Sequence, residues 1–342
     1  MKSLILREPG PKPEFQIIDL PEPTLVPDGV IIKVAASGVC HHDISVMDGT
    51  LRRGTKEDVV LGHEISGIVV DVGTEIEKFH TGDKVVTTLT TSCGVCDTCL
   101  NGQDYSCEYG LGYGHGVDGG FTEYILVREQ NLVNVGNLDL IQSALLSCPI
   151  AVTIKALFDK ALLKPQDSCA VFGAGGGLGI HAAQIVQSTS DNSIAFTSSP
   201  EKMEEISRYG IEQLFLLQEE IDSTELVMAL TGDEGVNVTF NPVGSNLLKT
   251  SIASLTYKGR AILMGEVSTP KEFFATSDLI FKNASLIGST GANKSHINSA
   301  IEMVRKGFVT PVVGETYAFN DINEAFQKIK QKESLGRIVL IP

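Results

Sequence analysis

The hydrophobic rhythm of the chain changes near residue 153. Before that point β-branched residues gather in short runs, Val30-Ile31-Ile32-Lys33-Val34, Ile65 to Val72 and Lys84-Val85-Val86, punctuated by Gly62, Gly67, Gly73 and Gly82. Runs of that length bounded by glycines predict short strands and turns. Beyond it, Ser168-Cys169-Ala170-Val171-Phe172 predicts a buried strand, Leu178 to Ser188 a helix and Ser193 to Thr197 the next strand. Val236 to Phe240, Arg260 to Met264 and Ser285 to Gly288 continue the series, with helical stretches between them. Such alternation builds a doubly wound parallel sheet. A helix over Ile297 to Lys306 and a closing strand, Arg337 to Ile341, follow. The expectation is an α/β chain of two domains. One is β-rich and formed by residues 1–152 and 290–342; the other, over residues 153–289, binds a dinucleotide.

Length and composition agree with two globular domains: 342 residues, 42% hydrophobic, with 34 glycines. No apolar run approaches the roughly eighteen residues of a membrane span. The opening Met1-Lys2-Ser3-Leu4-Ile5-Leu6 meets Arg7, Glu8 and Pro9 too soon for a secretory core. A soluble, cytoplasmic protein is expected. A net charge of −15 argues against nucleic acid or an anionic membrane as partner, and leaves a small molecule.

Four cysteines fall within fifteen residues, Cys93, Cys96, Cys99 and Cys107. Two CxxC steps share their middle cysteine, a spacing that lets one loop wrap a tetrahedral ion in four thiolates. A disulfide pair is the competing reading, and the lack of a secretory segment weighs against it. A closed four-thiolate site leaves no open position, so its role is structural.

Between the first strand and helix of the second half lies Gly173-Ala174-Gly175-Gly176-Gly177-Leu178-Gly179. Glycines there allow a tight turn and let backbone amides approach a pyrophosphate at a helix N-terminus. A strict GxGxxG ending at Gly179 fails at Ala174, and the loop fits only with one extra residue. The carboxylate that would bond the ribose 2′-hydroxyl of NAD is expected after the second strand. Thr197-Ser198-Ser199 stands there instead, with Lys202 beyond. Hydroxyls and a cation suit a 2′-phosphate, so NADP(H) is favoured over NAD(H). Ser199 and Pro200 also read as the N-cap and first residue of the next helix.

The first half carries Cys40-His41-His42-Asp43 and then Gly62-His63-Glu64, with Cys148 further on. Two thiolates and one imidazole make a zinc site whose fourth position stays open. Singly, Cys148 reads as a buried small hydrophobe and His63 as a core histidine.

Together these residues resemble a family, the medium-chain zinc-dependent alcohol dehydrogenases. The signature GHExxGxxxxxG is complete at 62–73, the four-cysteine lobe has the family spacing, and Gly336-Arg337-Ile338-Val339 resembles the family's last strand. The resemblance implies a GroES-like catalytic domain beside a Rossmann domain, two zinc ions per chain and a homo-oligomer, dimer or tetramer. It implies a catalytic zinc on Cys40, His63 and Cys148, with Glu64 as an alternate or nearby carboxylate. Asp43 would orient His63, His41 and Arg337 would approach the cofactor pyrophosphate, and Thr153 would lie near the nicotinamide. Cys169 is read as a packing thiol, and His80, His115, His181 and His296 as surface or core residues.

Two positions depart from the family. Alcohol-oxidising members carry Ser or Thr two residues after the first cysteine ligand, at the head of a proton relay, and His42 stands there. The outer relay position, often histidine, is Asp48. The expected activity is hydride transfer between NADP(H) or NAD(H) and an alcohol, aldehyde or ketone. The alternatives are reduction of activated double bonds, in an enoyl-CoA or enone, and a non-catalytic nucleotide-binding protein.

Overall fold

The structure is a computed structural model, and it describes residues 1–190, 192–218, 222–265 and 272–342. The chain divides into two compact units: Met1–Ala151 with Gly291–Ile301 and Val313–Pro342, and Val152–Thr290 with Glu302–Val312.

The first unit is built on a seven-stranded sheet. Its long central strand, Gly29–Val39, pairs with Glu64–Val72, Tyr124–Arg128 and the closing strand Arg337–Ile341, all antiparallel. Strands on either side bury Gly29–Val39 almost throughout, which is why its sequence reads as a continuous apolar run. The signature glycines mark close backbone approaches. A Cβ at Gly67 would lie 2.3 Å from the Lys33 carbonyl oxygen, and one at Gly73 2.2 Å from that of Pro27. Phe121, fully buried, joins Leu4, Leu6, Leu61, Phe326 and Ile338 in one apolar core, and each such side chain contributes roughly 1.5–3 kcal/mol by leaving water.

The second unit is a six-stranded parallel sheet. Its order is Leu214–Leu216, Asn192–Thr197, Ser168–Val171, Val236–Asn241, Leu255–Leu263, Ser285–Gly288. The chain starts at the centre, winds to one edge, then returns and winds to the other, as in dinucleotide-binding sheets. Phe172 and Phe196 stack at 5.4 Å in its core.

The helices shift from their expected bounds by a few residues: Gly179–Thr189 replaces Leu178 to Ser188, and Lys294–Arg305 replaces Ile297 to Lys306. Residues 302–312 group with the second unit, whereas the sequence places everything after 290 in the first domain. Side-chain bonds explain it. Gln184 bonds both the amide and the carbonyl of Thr310, and His181 accepts from the Val312 amide at 3.0 Å. Among the described residues no helix is long and apolar enough to cross a membrane.

Candidate metal centres and dinucleotide loop

Cys93, Cys96, Cys99 and Cys107 converge with their sulfurs within 4.8 Å of one another. Cys96 opens the short helix Asp97–Leu100, and Cys107 follows the turn Asp104–Ser106. The separations Cys93–Cys99, 4.0 Å, and Cys96–Cys107, 3.9 Å, are twice a disulfide bond. They match the edge of a tetrahedron of sulfurs held about 2.3 Å from one ion. Backbone amides already point at the sulfurs, Cys93 N–H to Cys107 and Cys96 N–H to Cys93, each at 3.3 Å. The four thiols fit a metal and do not fit a disulfide.

Cys40, His63, Glu64 and Cys148 form the second cluster, again with ligand atoms within 4.8 Å. Cys40 precedes the helix His41–Met47, and Asp43, fully buried in its first turn, holds the arrangement. One Asp43 oxygen accepts the Cys40 amide at 2.8 Å, and the other accepts His63 Nδ1–H at 3.2 Å. That bond fixes Nδ1 as the donor and directs Nε2 into the cluster, where loss of its proton would let it bind a metal. Cys148 arrives from the segment Leu146–Ile150. Pro149 supplies no amide there, and Ile150 N–H reaches back five residues to the Leu145 carbonyl, a π-helical turn.

Charge is concentrated here. A hydrogen bond from the Cys148 thiol holds Cys40 well below the usual thiol value and, with burial, pushes Cys148 well above it. Burial alone would keep His63 neutral, but the Asp43 charge and hydrogen bond raise it well above the ordinary imidazole value. Burial raises Glu64 to about 7 against the pull of Arg337. Both Glu64 carboxylate oxygens are buried without a hydrogen-bond donor, although Arg337 Nη2 stands 2.9 Å from Oε1 in an ion pair. Two adjacent thiols, an oriented imidazole and a buried carboxylate without a hydrogen-bond donor form a donor set suited to zinc.

The remaining candidates separate. His41 is half-buried, and burial lowers its imidazole. Arg337 is buried against Glu64, beside the cluster. His42 sits edge-to-face with His63 at 4.8 Å. Asp48 is exposed at the end of the helix, where its carboxylate accepts the Thr50 amide two residues on, an Asx turn. The residue beside His42 is His115, edge-to-face at 5.8 Å, which the sequence reading set aside. Its only signal was its position inside the glycine-rich run from Gly110 to Gly120. His181 and His296 are buried and structural, His80 is exposed, and Cys169 is a buried thiol raised by that burial.

In the second unit the extra residue of the glycine loop is accommodated at its start. Gly173 takes a left-handed φ of 65°, and a Cβ at Gly179 would lie 2.0 Å from the Gly173 carbonyl oxygen, so the helix begins hard against the turn. A Cβ at Gly175 would meet Lys202 at 3.1 Å and Thr197 Oγ1 at 3.4 Å, which places both beside the loop; Gly176 and Gly177 complete it, and Leu178 precedes the helix. Thr153 is fully buried in the helix Ala151–Ile154. Thr197 is buried, and its hydroxyl accepts the Ser199 amide. Ser199 does stand at the N-cap of the turn Pro200–Lys202, but its hydroxyl donates to Glu201 rather than accepting a helix amide. A carboxylate therefore does stand next to Thr197-Ser198-Ser199, supplied by Glu201 beyond the strand end.

Comparison with known proteins agrees with this architecture. A family profile described as "Alcohol dehydrogenase GroES-like domain" matches residues 26–137, and one described as "Zinc-binding dehydrogenase" matches residues 177–306. The chain is 28% identical to an acryloyl-coenzyme A reductase of Sulfurisphaera tokodaii and 29% identical to an NAD-dependent alcohol dehydrogenase of the same organism, each over 100% of both chains. The solved alcohol dehydrogenase of Aeropyrum pernix superposes with a TM-score of 0.90 at 28% identity, covering 100% of both chains. A GroES-like unit, a Rossmann sheet and these similarities along the whole length lead to one assignment: the chain is an oxidoreductase belonging to the medium-chain, zinc-type alcohol dehydrogenase family.

Proposed function

We propose that the protein is a zinc-dependent oxidoreductase that moves hydride between a nicotinamide dinucleotide and an alcohol, aldehyde or ketone. The convergence of Cys40, His63 and Cys148, with His63 oriented by Asp43, carries this reading. When bound there, zinc would polarise the oxygen of the substrate and leave the hydride chemistry to the cofactor. The chain's own residues do the rest. Asp43 keeps His63 in one tautomer, and Arg337 and Glu64 balance charge behind the cluster. The loop from Gly173 to Gly179 offers backbone amides to a pyrophosphate. His42 exchanges the proton that accompanies hydride transfer.

The second cluster, Cys93 to Cys107, would hold a structural zinc, giving two ions per chain. Thr197, Ser198, Ser199 and Lys202 favour NADP(H), with Glu201 as the opposing group. A soluble, cytoplasmic homo-oligomer fits the reading. Among the described residues of the second unit the edge strand Ser285–Gly288 leaves one side unpaired, and Ile280 and Phe281 just before it are 69% and 83% exposed.

A second reading, reduction of an enoyl thioester, is supported by similarity over the whole length to acryloyl-coenzyme A reductases and by His42 in place of the usual hydroxyl residue. One experiment addresses both: anaerobic oxidation of NADPH and of NADH, followed in parallel with aldehydes, ketones and enoyl thioesters. Turnover of the thioester alone overturns the first reading, and turnover of none overturns both.

A further inference from the structure

The short turn Asp104–Ser106 joins two distant parts of the first unit. At one end it runs directly into Cys107, whose amide donates to the Asp104 carbonyl at 3.2 Å, so the turn is continuous with the four-cysteine loop. At the other it holds residues 291–294, where the chain re-enters the first unit after the second. Asp104 is buried, and both of its carboxylate oxygens accept the Lys294 amide, at 3.2 and 3.3 Å. Tyr105 N–H donates to Asn293 Oδ1 at 3.1 Å. Gly291 takes a left-handed φ of 62°, and a Cβ there would lie 1.9 Å from Tyr105 Cζ. The tyrosine ring thus occupies the space that any other side chain at 291 would need.

These contacts cap a helix from far away in the sequence. Lys294 opens the twelve-residue helix Lys294–Arg305, whose first amides have no acceptor within the helix. A carboxylate there satisfies one of them and faces the positive end of the helix dipole. Neighbouring residues serve the next amides: the Asn293 carbonyl accepts those of His296 and Ile297, at 3.0 and 3.3 Å, and Asn293 N–H donates to His296 Nδ1. The anionic cap itself comes from 190 residues earlier, three residues before a cysteine of the cluster.

We propose that the four-cysteine loop and residues 291–297 are one coupled element: metal held by Cys93, Cys96, Cys99 and Cys107 orders the start of the helix Lys294–Arg305 through Asp104 and Tyr105. This rests on the reading of that loop as a metal site. The four thiols form no disulfide, so metal is what closes the loop and fixes Cys107 with the turn before it. Loss of the metal frees the turn, and then the Lys294 amide, Asn293 Oδ1 and the Gly291 backbone lose their neighbours together. Linkage makes the coupling reciprocal. Disturbing residues 291–293, which lie outside the loop, must weaken its hold on the metal by the same factor.

The test uses full-length chain carrying Cys148→Ala, so that released zinc comes from the four-cysteine loop, and follows zinc transfer to a chromogenic chelator. Adding Asn293→Ala or Gly291→Ala should speed release by roughly fivefold or more, the lower end of ordinary coupling between sites. Gly288→Ala, where a Cβ meets nothing within 4 Å, should leave the rate as it was. In the reverse direction, Cys96→Ser should accelerate amide hydrogen exchange over residues 292–301 more than over the strand Gly29–Val39. Release from Asn293→Ala and Gly291→Ala no faster than from Gly288→Ala would overturn the proposal. So would equal acceleration of the two segments in Cys96→Ser; if that variant does not fold, the release rates decide alone. A Cys148→Ala protein that yields no zinc would instead bring down the metal reading of the loop, and the coupling with it.

Discussion

Gly38 and Glu64 face one another across adjacent strands, and a Cβ on residue 38 would lie 2.0 Å from Glu64 Oε2. The absence of a side chain at 38 is what lets a carboxylate stand inside the sheet beside Arg337. Gly38→Ala should force that carboxylate away and leave a guanidinium poorly paired. A loss of about 1–3 kcal/mol is expected in denaturant unfolding, from crowding alone. Gly288→Ala, where a Cβ meets nothing within 4 Å, is the control and should stay within about 0.5 kcal/mol. Equal stability of the two variants would remove the steric argument.

The same carboxylate sets a pH dependence. Its folded value is raised to about 7, above an unfolded value near 4.3, so the folded state binds the proton more tightly. Below pH ~4 the group is neutral in both states and contributes no penalty. As pH rises from there to about 7 the penalty of ionising a buried carboxylate grows, and above 7 it is constant. In metal-stripped protein, Glu64→Gln should abolish that decline, which amounts to at most a few kcal/mol. Parallel stability–pH curves for the two proteins would refute it.

Metal content distinguishes the two clusters. Wild type should carry two zinc ions per chain by elemental analysis. Cys96→Ala should lose one and melt at a lower temperature, because a structural metal contributes folding free energy. Cys148→Ala should lose turnover with a smaller change in melting. An active Cys148→Ala enzyme, or a single ion in undamaged wild type, contradicts the assignment.

Much of this site could be read directly because short-range geometry dictates it. Cys93 to Cys107 are one loop, and GHExxGxxxxxG has glycines wherever Lys33, Pro27 or Phe121 comes too close for a side chain. What could not be read depends on contacts between distant segments. His115 meets His42 only because a glycine-rich turn folds over Gly62. Asp48 bonds the Thr50 amide two residues away, a local turn that the sequence pattern did not announce. Residues 302–312 join the second unit through Gln184 and His181, and no periodicity announces such bonds.

Cofactor choice tests the second unit. NADP(H) should show the lower KM, and Thr197→Asp should shift preference toward NAD(H), since a carboxylate there would bond ribose hydroxyls and repel a 2′-phosphate. Glu201→Gln should sharpen the preference for NADP(H) by removing the charge bonded to Ser199. A wild-type KM lower for NAD than for NADP would reverse the assignment.

His42→Ala should lower turnover by ~10²–10⁴, the usual loss of a proton-transfer group, while His42→Thr should retain substantial alcohol activity. If alanine changes only KM, His42 shapes the pocket and moves no proton.

The chain's interleaving governs the order in which the protein can be made. Glu64 emerges from the ribosome on the order of tens of seconds before Arg337. Throughout that interval the strand Gly29–Val39 has no Arg337–Ile341 neighbour, and the buried carboxylate lacks the Arg337 guanidinium. The nascent first unit therefore waits, incomplete, while the contiguous 152–290 stretch of the second is finished. Early translation termination would leave the end of that strand, Ser37 to Val39, without its closing neighbour and Glu64 without its guanidinium.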